Sequence, residues 1–336
     1  MSWLGFIGGW CGELAPALLA SSSPACRGAQ SGTGRGAMET PSGRSAASPA
    51  VANHGVPSEL MAAQMAQQRA LFSLPMEAKM AMLADKRLNR GYTPFKEETL
   101  DPGVQSVGDT KEGFYIGPEA AAGADAEEAA AALHGPNRWP DPQALPEYRA
   151  VVSEYIQQVT QLGHRMLHLL ALSLDLPRTW FDDKFDDPLT ILRPLHYSAE
   201  VLRVEDGVFG AGAHTDYGML TFLLTDERPG LQIFHEGTWM DVPPQTGGVF
   251  VVNIGDMLHR WTNGRYKSTL HRVINAAGRE RYSTAFFFEP NFHATVDCLP
   301  SCCQGEAAKF PAVMYGDHIL GKYQQTHANF SDEGAG

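Results

Sequence analysis

The amino-acid sequence predicts a mainly β fold with flanking helices. Between Pro188 and Pro290, seven short runs rich in β-branched and aromatic residues are separated by turn signals such as RPG, HEG and NGR. Many short strands at regular spacing are typical of a β barrel or a β sandwich. Before this region, apolar residues recur at helical spacing from Val152 to Leu170, and Pro177 ends that helix. A helical segment therefore precedes the β region.

The individual elements follow from the same patterns. Strands are expected at 189–197, 218–225, 230–235, 238–243, 248–256, 268–275 and 282–290, with a strand-like run at 112–117. Further helices are expected at 57–74, at 75–83 and around 312–327, because Pro57 and Pro75 can each begin a helix.

Composition divides the chain into four parts. Residues 1–50 are rich in Ala, Ser and Gly and cannot bury enough apolar surface to offset chain entropy, so we expect a disordered leader. Residues 51–177 are expected to form an N-terminal helical domain. Residues 186–291 are expected to form the β core, and residues 292–336 a C-terminal tail that packs on it.

The charge balance and the cysteines limit the partners and the compartment. The 336 residues include 26 basic and 38 acidic side chains, a formal net charge of −12 at pH 7, and no basic block stands out. Nucleic acid and anionic membrane are therefore not expected as partners. No apolar run approaches the roughly 18 residues of a membrane span. The five cysteines form no C-x-x-C pair, which indicates free thiols in a reducing compartment.

We expect the protein to act in the cytoplasm as a monomer. The leader offers an alternative location, the plastid or the mitochondrion, because it is poor in acids and contains Arg27, Arg35 and Arg44. Against a transit peptide, the first ten residues contain no basic side chain.

A histidine and an aspartate lie two residues apart in the apolar run AHTDYGMLTFLL. In a strand, residues two apart point the same way, so His214 and Asp216 would present an imidazole and a carboxylate to one side. A hydrogen-bonded pair within the core would explain these two residues equally well when they are taken alone. His271, 55 positions after Asp216 on another predicted strand, supplies a third ligand. Two imidazoles and one carboxylate on one face of a metal suit non-haem Fe(II), which leaves room for a co-substrate and dioxygen.

Arg281 and Ser283 follow on the next predicted strand and also lie two residues apart. An arginine fork matches a carboxylate bidentately, and a neighbouring hydroxyl adds a third hydrogen bond. A buried arginine needs an anionic partner, because an unpaired buried charge costs several kcal/mol. A dicarboxylate such as 2-oxoglutarate could chelate iron at one end and meet Arg281 at the other. The plainer alternative is an ion pair between Arg281 and a protein carboxylate such as Glu289.

The sequence resembles the Fe(II)/2-oxoglutarate-dependent dioxygenases of the isopenicillin N synthase-like, plant type. The resemblance spans about residues 51 to 330 and depends on NHGV (53–56), LPMEAK (74–79), HTD (214–216), NIGDML (253–258), LHRV (270–273) and RYSTAFFFEP (281–290). It implies a double-stranded β-helix (jelly-roll) core over residues 186–291 with an N-terminal helical domain.

The resemblance also implies the site and the reaction. His214, Asp216 and His271 would bind iron, and Arg281 and Ser283 would hold the far carboxylate of 2-oxoglutarate. Tyr197 falls where relatives often place a tyrosine beside the co-substrate, although an asparagine common two residues earlier is leucine here. The expected reaction is hydroxylation, or desaturation, of a small organic metabolite with release of succinate and CO2. Dioxygen would be the oxidant, with ascorbate as an optional reductant.

Three other functions are compatible with parts of this pattern. An oxidase of the same fold could dispense with 2-oxoglutarate, and the RYS motif does not separate the two. A Zn(II) hydrolase could use the same three ligands, but it gives Arg281 and Ser283 no role. A non-catalytic, degenerate barrel is suggested only by the segment 36–52, which lacks the strand and helix that relatives carry before NHGV.

Several other polar residues receive a structural interpretation. Asn253 and Asp256 are expected to fix a turn through side-chain-to-backbone bonds. His54 precedes a turn glycine, and His327 is expected to lie at the surface or in packing. Tyr115 and Phe287 are expected in the core, with a substrate pocket as the alternative; neither receives a catalytic role, since no catalytic group is expected beyond the metal ligands.

Overall fold

The computed structural model of this protein describes residues 50–327 except residues 86, 122, 276, 277 and 304. The predicted leader therefore lies outside the described residues, apart from its last one. Of the five cysteines, Cys298, Cys302 and Cys303 are described, and all three are free thiols as expected.

Two antiparallel sheets form the centre of the fold. The strands are β1 (Ala50–Val51), β2 (Gly91–Thr93), β3 (Lys111–Tyr115), β4 (Thr190–Tyr197), β5 (Ala211–His214), β6 (Leu220–Thr225), β7 (Leu231–His235), β8 (Thr238–Asp241), β9 (Phe250–Ile254), β10 (His271–Val273), β11 (Arg281–Phe288), β12 (Thr295–Val296) and β13 (Val313–Met314). The larger sheet has the order β1-β9-β6-β11-β4-β3-β2, the smaller one β5-β10-β7-β8, and β12 pairs with β13. The predicted mainly β fold is confirmed, and each of the seven expected strands of the β region is present.

Seven α-helices flank the sheets in the described ranges. They are α1 (Ser58–Phe72), α2 (Met76–Met80), α3 (Ala126–Ala131), α4 (Tyr148–Ser173), α5 (Asp256–Trp261), α6 (Pro300–Cys303) and α7 (Tyr315–Thr326). The helices α1 and α2 begin directly after Pro57 and Pro75, as the proline positions predict. The expected helix of the C-terminal tail is α7.

The N-terminal segment is less purely helical than predicted. Besides α1 to α4 it contributes three strands, β1, β2 and β3, and all of them extend the larger sheet. The short strand β1 pairs with β9 through Ala50 and Val51. An edge strand thus exists just before NHGV, where the sequence showed neither a strand nor a helix. A two-residue strand is too short to give a periodic pattern, which explains why it was missed.

Helix α4 packs on the larger sheet and against α1. Its apolar stripe is buried, including Val152, Tyr155, Val159 and Leu162. At Gly163 the helix comes so close to β11 that an added Cβ would lie 2.8 Å from ring atoms of Phe288. The glycine therefore permits the close approach between the helix and the strand that carries Arg281 and Ser283.

Replacing this glycine should destabilise the fold. We expect Gly163→Ala to lower the melting temperature, because overpacking a core typically costs about 1–3 kcal/mol and exceeds the gain of about 0.5–1 kcal/mol from removing a helical glycine. Gly321 in α7 is the matched control, since an added Cβ there meets no atom within 4 Å. Gly321→Ala should leave the melting temperature unchanged or raise it. Equal shifts in the two variants would contradict the close packing of α4 on β11.

Candidate metal centre and co-substrate pocket

Strand pairing brings the two histidines together. His214 is the last residue of β5 and His271 the first residue of β10, and the two are direct partners in the antiparallel register. Their ring centroids are 4.2 Å apart. Asp216 joins them, with Oδ1 3.8 Å from Nε2 of His271. One ligand atom from each of the three residues lies within 4.8 Å of the other two.

The expectation that His214 and Asp216 lie on the same strand was wrong, although both residues reach the same site. Strand β5 ends at His214, so Asp216 lies in the turn before β6 and not on the strand. Backbone hydrogen bonds hold this turn in place: Asp256 N–H donates to Asp216 O (2.9 Å), and Met257 N–H donates to Gly218 O (2.8 Å). Gly255 allows this approach, because an added Cβ there would lie 2.3 Å from Gly218 O. The segment 255–257 therefore positions the carboxylate.

Both imidazoles are oriented by backbone carbonyls. Nδ1 of His214 lies 2.8 Å from Gly212 O, and Nδ1 of His271 lies 2.9 Å from Thr269 O. A carbonyl accepts only, so each Nδ1 carries the proton and each Nε2 keeps its lone pair. Burial, together with the neighbouring His271, lowers the pKa of His214 to about 3. The ring of His214 is therefore neutral, and both rings present an Nε2 that can act as a metal ligand.

Asn253 on β9 supports the carboxylate from behind. Its Nδ2 donates a hydrogen bond to Oδ2 of Asp216 at 3.2 Å, which leaves Oδ1 directed at the histidines. The sequence assigned Asn253 and Asp256 to a turn. Asp256 does hold the Asp216 turn, but through its backbone N–H and not through its side chain. Asn253 instead binds the carboxylate of Asp216 directly. An aspartate and an asparagine 37 positions apart give no local signal of this contact.

A cavity of about 510 Å³ extends from the three residues along the inner faces of β4 and β11. Arg281 and Ser283 lie at its far end and are only 3% and 1% exposed. Arg281 Nη1 lies 3.4 Å from Ser283 Oγ, and the guanidinium stands 5.0 Å above the ring of Tyr197. These three residues form a cationic pocket at one end of the cavity, and the three candidate ligands lie at its other end.

The charge of Arg281 has no protein partner in the part of the chain that the structure describes. No carboxylate there lies within ion-pair distance of its guanidinium, and its Nε has no hydrogen-bond acceptor. The alternative pairing with Glu289 is wrong, since that carboxyl instead accepts a hydrogen bond from Met219 N–H. A buried guanidinium without a partner among the described residues favours an anionic ligand.

The other residues singled out in the sequence, His54, Phe287 and Tyr115, lie outside the group of candidate metal ligands. His54 lies 2.8 Å from Gly248 O and accepts a hydrogen bond from Val56 N–H, which is a structural role. Phe287 lines the 510 Å³ cavity and also a second cavity of about 440 Å³. Tyr115 lines the second cavity and bonds to His327.

A buried ion-pair network between the two cavities was missed by the sequence. Arg193 binds both carboxylate oxygens of Glu98 (3.1 and 2.9 Å), and Lys111 approaches the same carboxylate at 2.7 Å. Although burial opposes it, these two cations hold the pKa of Glu98 well below its usual range. His327 lies 3.2 Å from Glu98 and is buried, not at the surface. Residues from four distant segments meet here, so no sequence motif could reveal the network.

Comparison with known proteins shows which families this chain is similar to. Residues 191–290 match the model of the 2OG-Fe(II) oxygenase superfamily, and residues 50–142 match the model of the N-terminal region of non-haem dioxygenases in morphine synthesis. A 2-oxoglutarate-Fe(II) type oxidoreductase of Emericella nidulans is 40% identical over 286 residues, which cover 82% of this chain and 80% of the relative.

Solved structures agree with the sequence relatives. A full-length Neurospora crassa protein, solved in complex with alpha-KG, aligns with a TM-score of 0.70 at 28% identity, covering 81% of this chain and 84% of that one. A putative 2OG-Fe(II) oxygenase family protein from Caulobacter crescentus aligns with a TM-score of 0.71 at 29% identity, covering 82% and 88%.

Removing the support behind Asp216 should weaken metal binding. We expect Asn253→Ala to lower the affinity for Fe(II) or Zn(II) about 10–100-fold, the usual effect of losing a hydrogen bond that orients a ligand. Competition against a chromogenic chelator measures this affinity without turnover. Asn291→Ala is the control, since Asn291 bonds to Asp186 and Asp187 on the surface. Equal affinities in the two variants would remove Asn253 from the site.

Proposed function

This chain belongs to the 2OG-Fe(II) oxygenase superfamily, and we propose that His214, Asp216 and His271 hold its Fe(II) while Arg281 and Ser283 bind its 2-oxoglutarate. The protein is an Fe(II)- and 2-oxoglutarate-dependent dioxygenase. The observation that supports the assignment of residues most strongly is the unpaired guanidinium of Arg281 in the cavity that also contains the three candidate ligands.

The donor set fits both groups. Two neutral imidazoles and one carboxylate on one face are the ligands that non-haem Fe(II) takes in oxygenases, with the opposite face open. The far carboxylate of 2-oxoglutarate would accept hydrogen bonds from Arg281 and Ser283, and the phenol ring of Tyr197 would support the guanidinium from below. Leu195, which replaces the asparagine common in relatives, lines the same cavity and adds only apolar surface.

When bound together, Fe(II), 2-oxoglutarate and dioxygen supply the oxidising power, with release of succinate and CO2. The side chains of this protein supply orientation. Arg281 would orient the co-substrate through its far carboxylate, and Asn253, which binds Oδ2 of Asp216, would leave Oδ1 free to ligate the metal. The apolar walls, including Val273 and Ala285, exclude water from the cavity.

We propose that the substrate is a small organic metabolite, which the enzyme hydroxylates or desaturates. The second cavity is lined mainly by apolar and aromatic side chains with a few polar groups, which is typical of sites for small molecules. The Neurospora crassa protein has also been solved with alpha-KG and thymine (TM-score 0.69), and JOX2 has been solved with 2OG, Fe and JA (TM-score 0.68). These neighbours support the size class of the substrate and do not name it.

We also propose that the enzyme belongs among the isopenicillin N synthase-like members and acts as a monomer in the cytoplasm, without nucleic-acid or membrane partners. The motifs at 214–216 and 281–283 support the first of these proposals, and the net charge of −12 supports the absence of nucleic-acid and anionic-membrane partners. None of the helices between residues 50 and 327 combines the length and the apolar character needed to cross a membrane.

Turnover of 2-oxoglutarate tests the reaction. Purified protein with Fe(II), ascorbate and 2-oxoglutarate should release succinate in air, slowly without a substrate and faster with one. No succinate release from a folded protein that retains iron and 2-oxoglutarate would contradict the proposed oxygenase activity. A comparison with and without ascorbate shows whether the reductant is needed.

Arg281 is the residue whose replacement tests the co-substrate pocket. We expect Arg281→Lys to weaken 2-oxoglutarate binding at least about tenfold, because a charge-assisted hydrogen bond contributes about 1.5–3 kcal/mol and lysine cannot form the bidentate pair. Calorimetric titration of the Zn(II)-substituted protein measures this affinity.

Arg272→Lys is the matched control for that titration. Arg272 lies on β10 next to His271, but its guanidinium stacks on Trp239 (4.1 Å) and its Nε donates to Gln232. The affinity for 2-oxoglutarate should be unchanged in this variant. An unchanged affinity in Arg281→Lys as well would show that Arg281 does not bind the co-substrate.

A further inference from the structure

Strand β11 connects the two cavities along one face. Side chains two residues apart in a strand point the same way, and the side chains of Arg281, Ser283, Ala285 and Phe287 line the 510 Å³ cavity. The next residue in this series, Glu289, follows the end of the strand and lines the 440 Å³ cavity together with Phe287. The candidate ligands of the segment 214–216 line both cavities. The same face therefore ends in a cation at one side of the candidate ligands and in a carboxyl at the other.

Glu289 is a buried carboxyl without a counter-ion. It is 3% exposed, and no Lys, Arg or His of the described ranges lies within ion-pair distance of it. Its Oε2 accepts a hydrogen bond from Met219 N–H at 3.0 Å. The carboxyl occupies the space directly over Gly218, where any Cβ would collide with it. The position after Asp216 and Tyr217 thus has to be glycine for this carboxyl to reach the cavity.

Without a cation, this carboxyl is best accommodated in its protonated form. A buried, unpaired carboxylate is costly, and a protonated carboxyl avoids that cost. Burial raises the pKa of Glu289 to about 8, although the hydrogen bond from Met219 N–H opposes the rise. A protonated carboxyl accepts such bonds and still has one O–H that donates. The cavity that Glu289 lines provides room for an acceptor of that bond.

The other walls of this cavity are aromatic and electrically balanced. Tyr115, Tyr217, Phe287 and Tyr323 contribute their rings. The one arginine in the lining, Arg193, is already paired with Glu98 through Nη1 and Nη2. Apart from the candidate metal ligands, the lining residues therefore offer flat apolar surface together with hydroxyl and carboxyl groups that can donate hydrogen bonds, but neither an unpaired cation nor an unpaired anion.

We propose that Glu289 binds and orients the primary substrate, and that this substrate is an uncharged ring compound with a carbonyl or similar acceptor that takes the Glu289 O–H hydrogen bond. The inference rests on the proposed function, because it assigns the 440 Å³ cavity to the molecule that is oxidised. Glu289 acts here as a binding residue: it holds the acceptor of the substrate at the far side of Asp216 from Arg281, so that a ring carbon next to that acceptor faces the metal ligands.

A purely structural role makes a different prediction. Glu289 also holds the turn that carries Asp216, through Met219 N–H, so a variant could act by releasing that turn. Glu289→Gln keeps both an acceptor for Met219 and a donor for the substrate, whereas Glu289→Met keeps the size and loses both. Glu280→Gln on the surface is the control for the loss of an acidic side chain. The 2-oxoglutarate affinity of each variant reports on the turn, because Asp216 is part of that site.

The experiment measures binding without turnover. The Zn(II)-substituted enzyme, saturated with 2-oxoglutarate, is titrated with thymine and 2-pyridone as uncharged probes, with benzoate as an anion and with benzylamine as a cation. Saturation-transfer NMR and calorimetry give the affinities, and the same probes are tested for faster succinate release by the Fe(II) enzyme. We expect binding of an uncharged probe, within about threefold of wild type in Glu289→Gln and at least about tenfold weaker in Glu289→Met.

Each other outcome overturns the proposal. Binding of benzoate or benzylamine alone, or of no uncharged probe, would refute the substrate class. Equal loss in Glu289→Gln and Glu289→Met, with 2-oxoglutarate affinity intact, would refute the hydrogen bond. Full binding in Glu289→Met would leave Glu289 with a structural role only. A wild-type enzyme that does not bind 2-oxoglutarate would instead refute the proposed function, and the titration distinguishes this result from the others.

Discussion

The antiparallel pairing of β5 with β10 is the constraint on which the site depends. It makes His214 and His271 direct neighbours, and the carbonyls of Gly212 and Thr269 turn both Nε2 atoms toward the same point. A shift of this register by one residue would point one imidazole to the other face of the sheet. The third ligand does not come from the pairing, and the segment 255–257 has to bring the turn of Asp216 to the two rings.

Next to these three residues, the larger sheet places ionisable side chains at both ends of one strand face, that of β11. The inner face of β11 begins with a cation that lacks a partner and ends with a carboxyl that lacks a counter-ion, and each faces its own cavity. The other buried charges nearby, on Glu98, Asp109, Lys111 and Arg193, pair with one another. Among the described charged residues that line the two cavities, and apart from the candidate metal ligands, Arg281 and Glu289 are therefore left without an ionic partner, and we propose that an anionic co-substrate binds at Arg281 and a hydrogen-bond acceptor at Glu289.

Much of this arrangement could be predicted from the sequence, for identifiable reasons. The strands of the β region have a clear period, so Arg281 and Ser283 were placed correctly on one face of β11. Asp216 was named for the wrong reason, since a turn pinned by residues about 40 positions away replaces the expected strand. Asn253 was assigned only to a turn, and Glu98 was not named at all, because their partners are distant in the chain and only the fold brings them together. Local periodicity identifies strands and helices, whereas contacts between distant strands and helices determine which polar residues form the site.

A visible absorption spectrum recorded without oxygen distinguishes the proposed site from its alternatives. Chelation of Fe(II) by 2-oxoglutarate gives a weak charge-transfer band, and we expect this band in the wild type and its loss in His271→Ala. That result would establish the metal, the co-substrate and the ligand contributed by β10 in a single measurement. Wild-type protein that retains iron and shows no band with 2-oxoglutarate, or a His271→Ala variant that keeps the band, would contradict the proposed site.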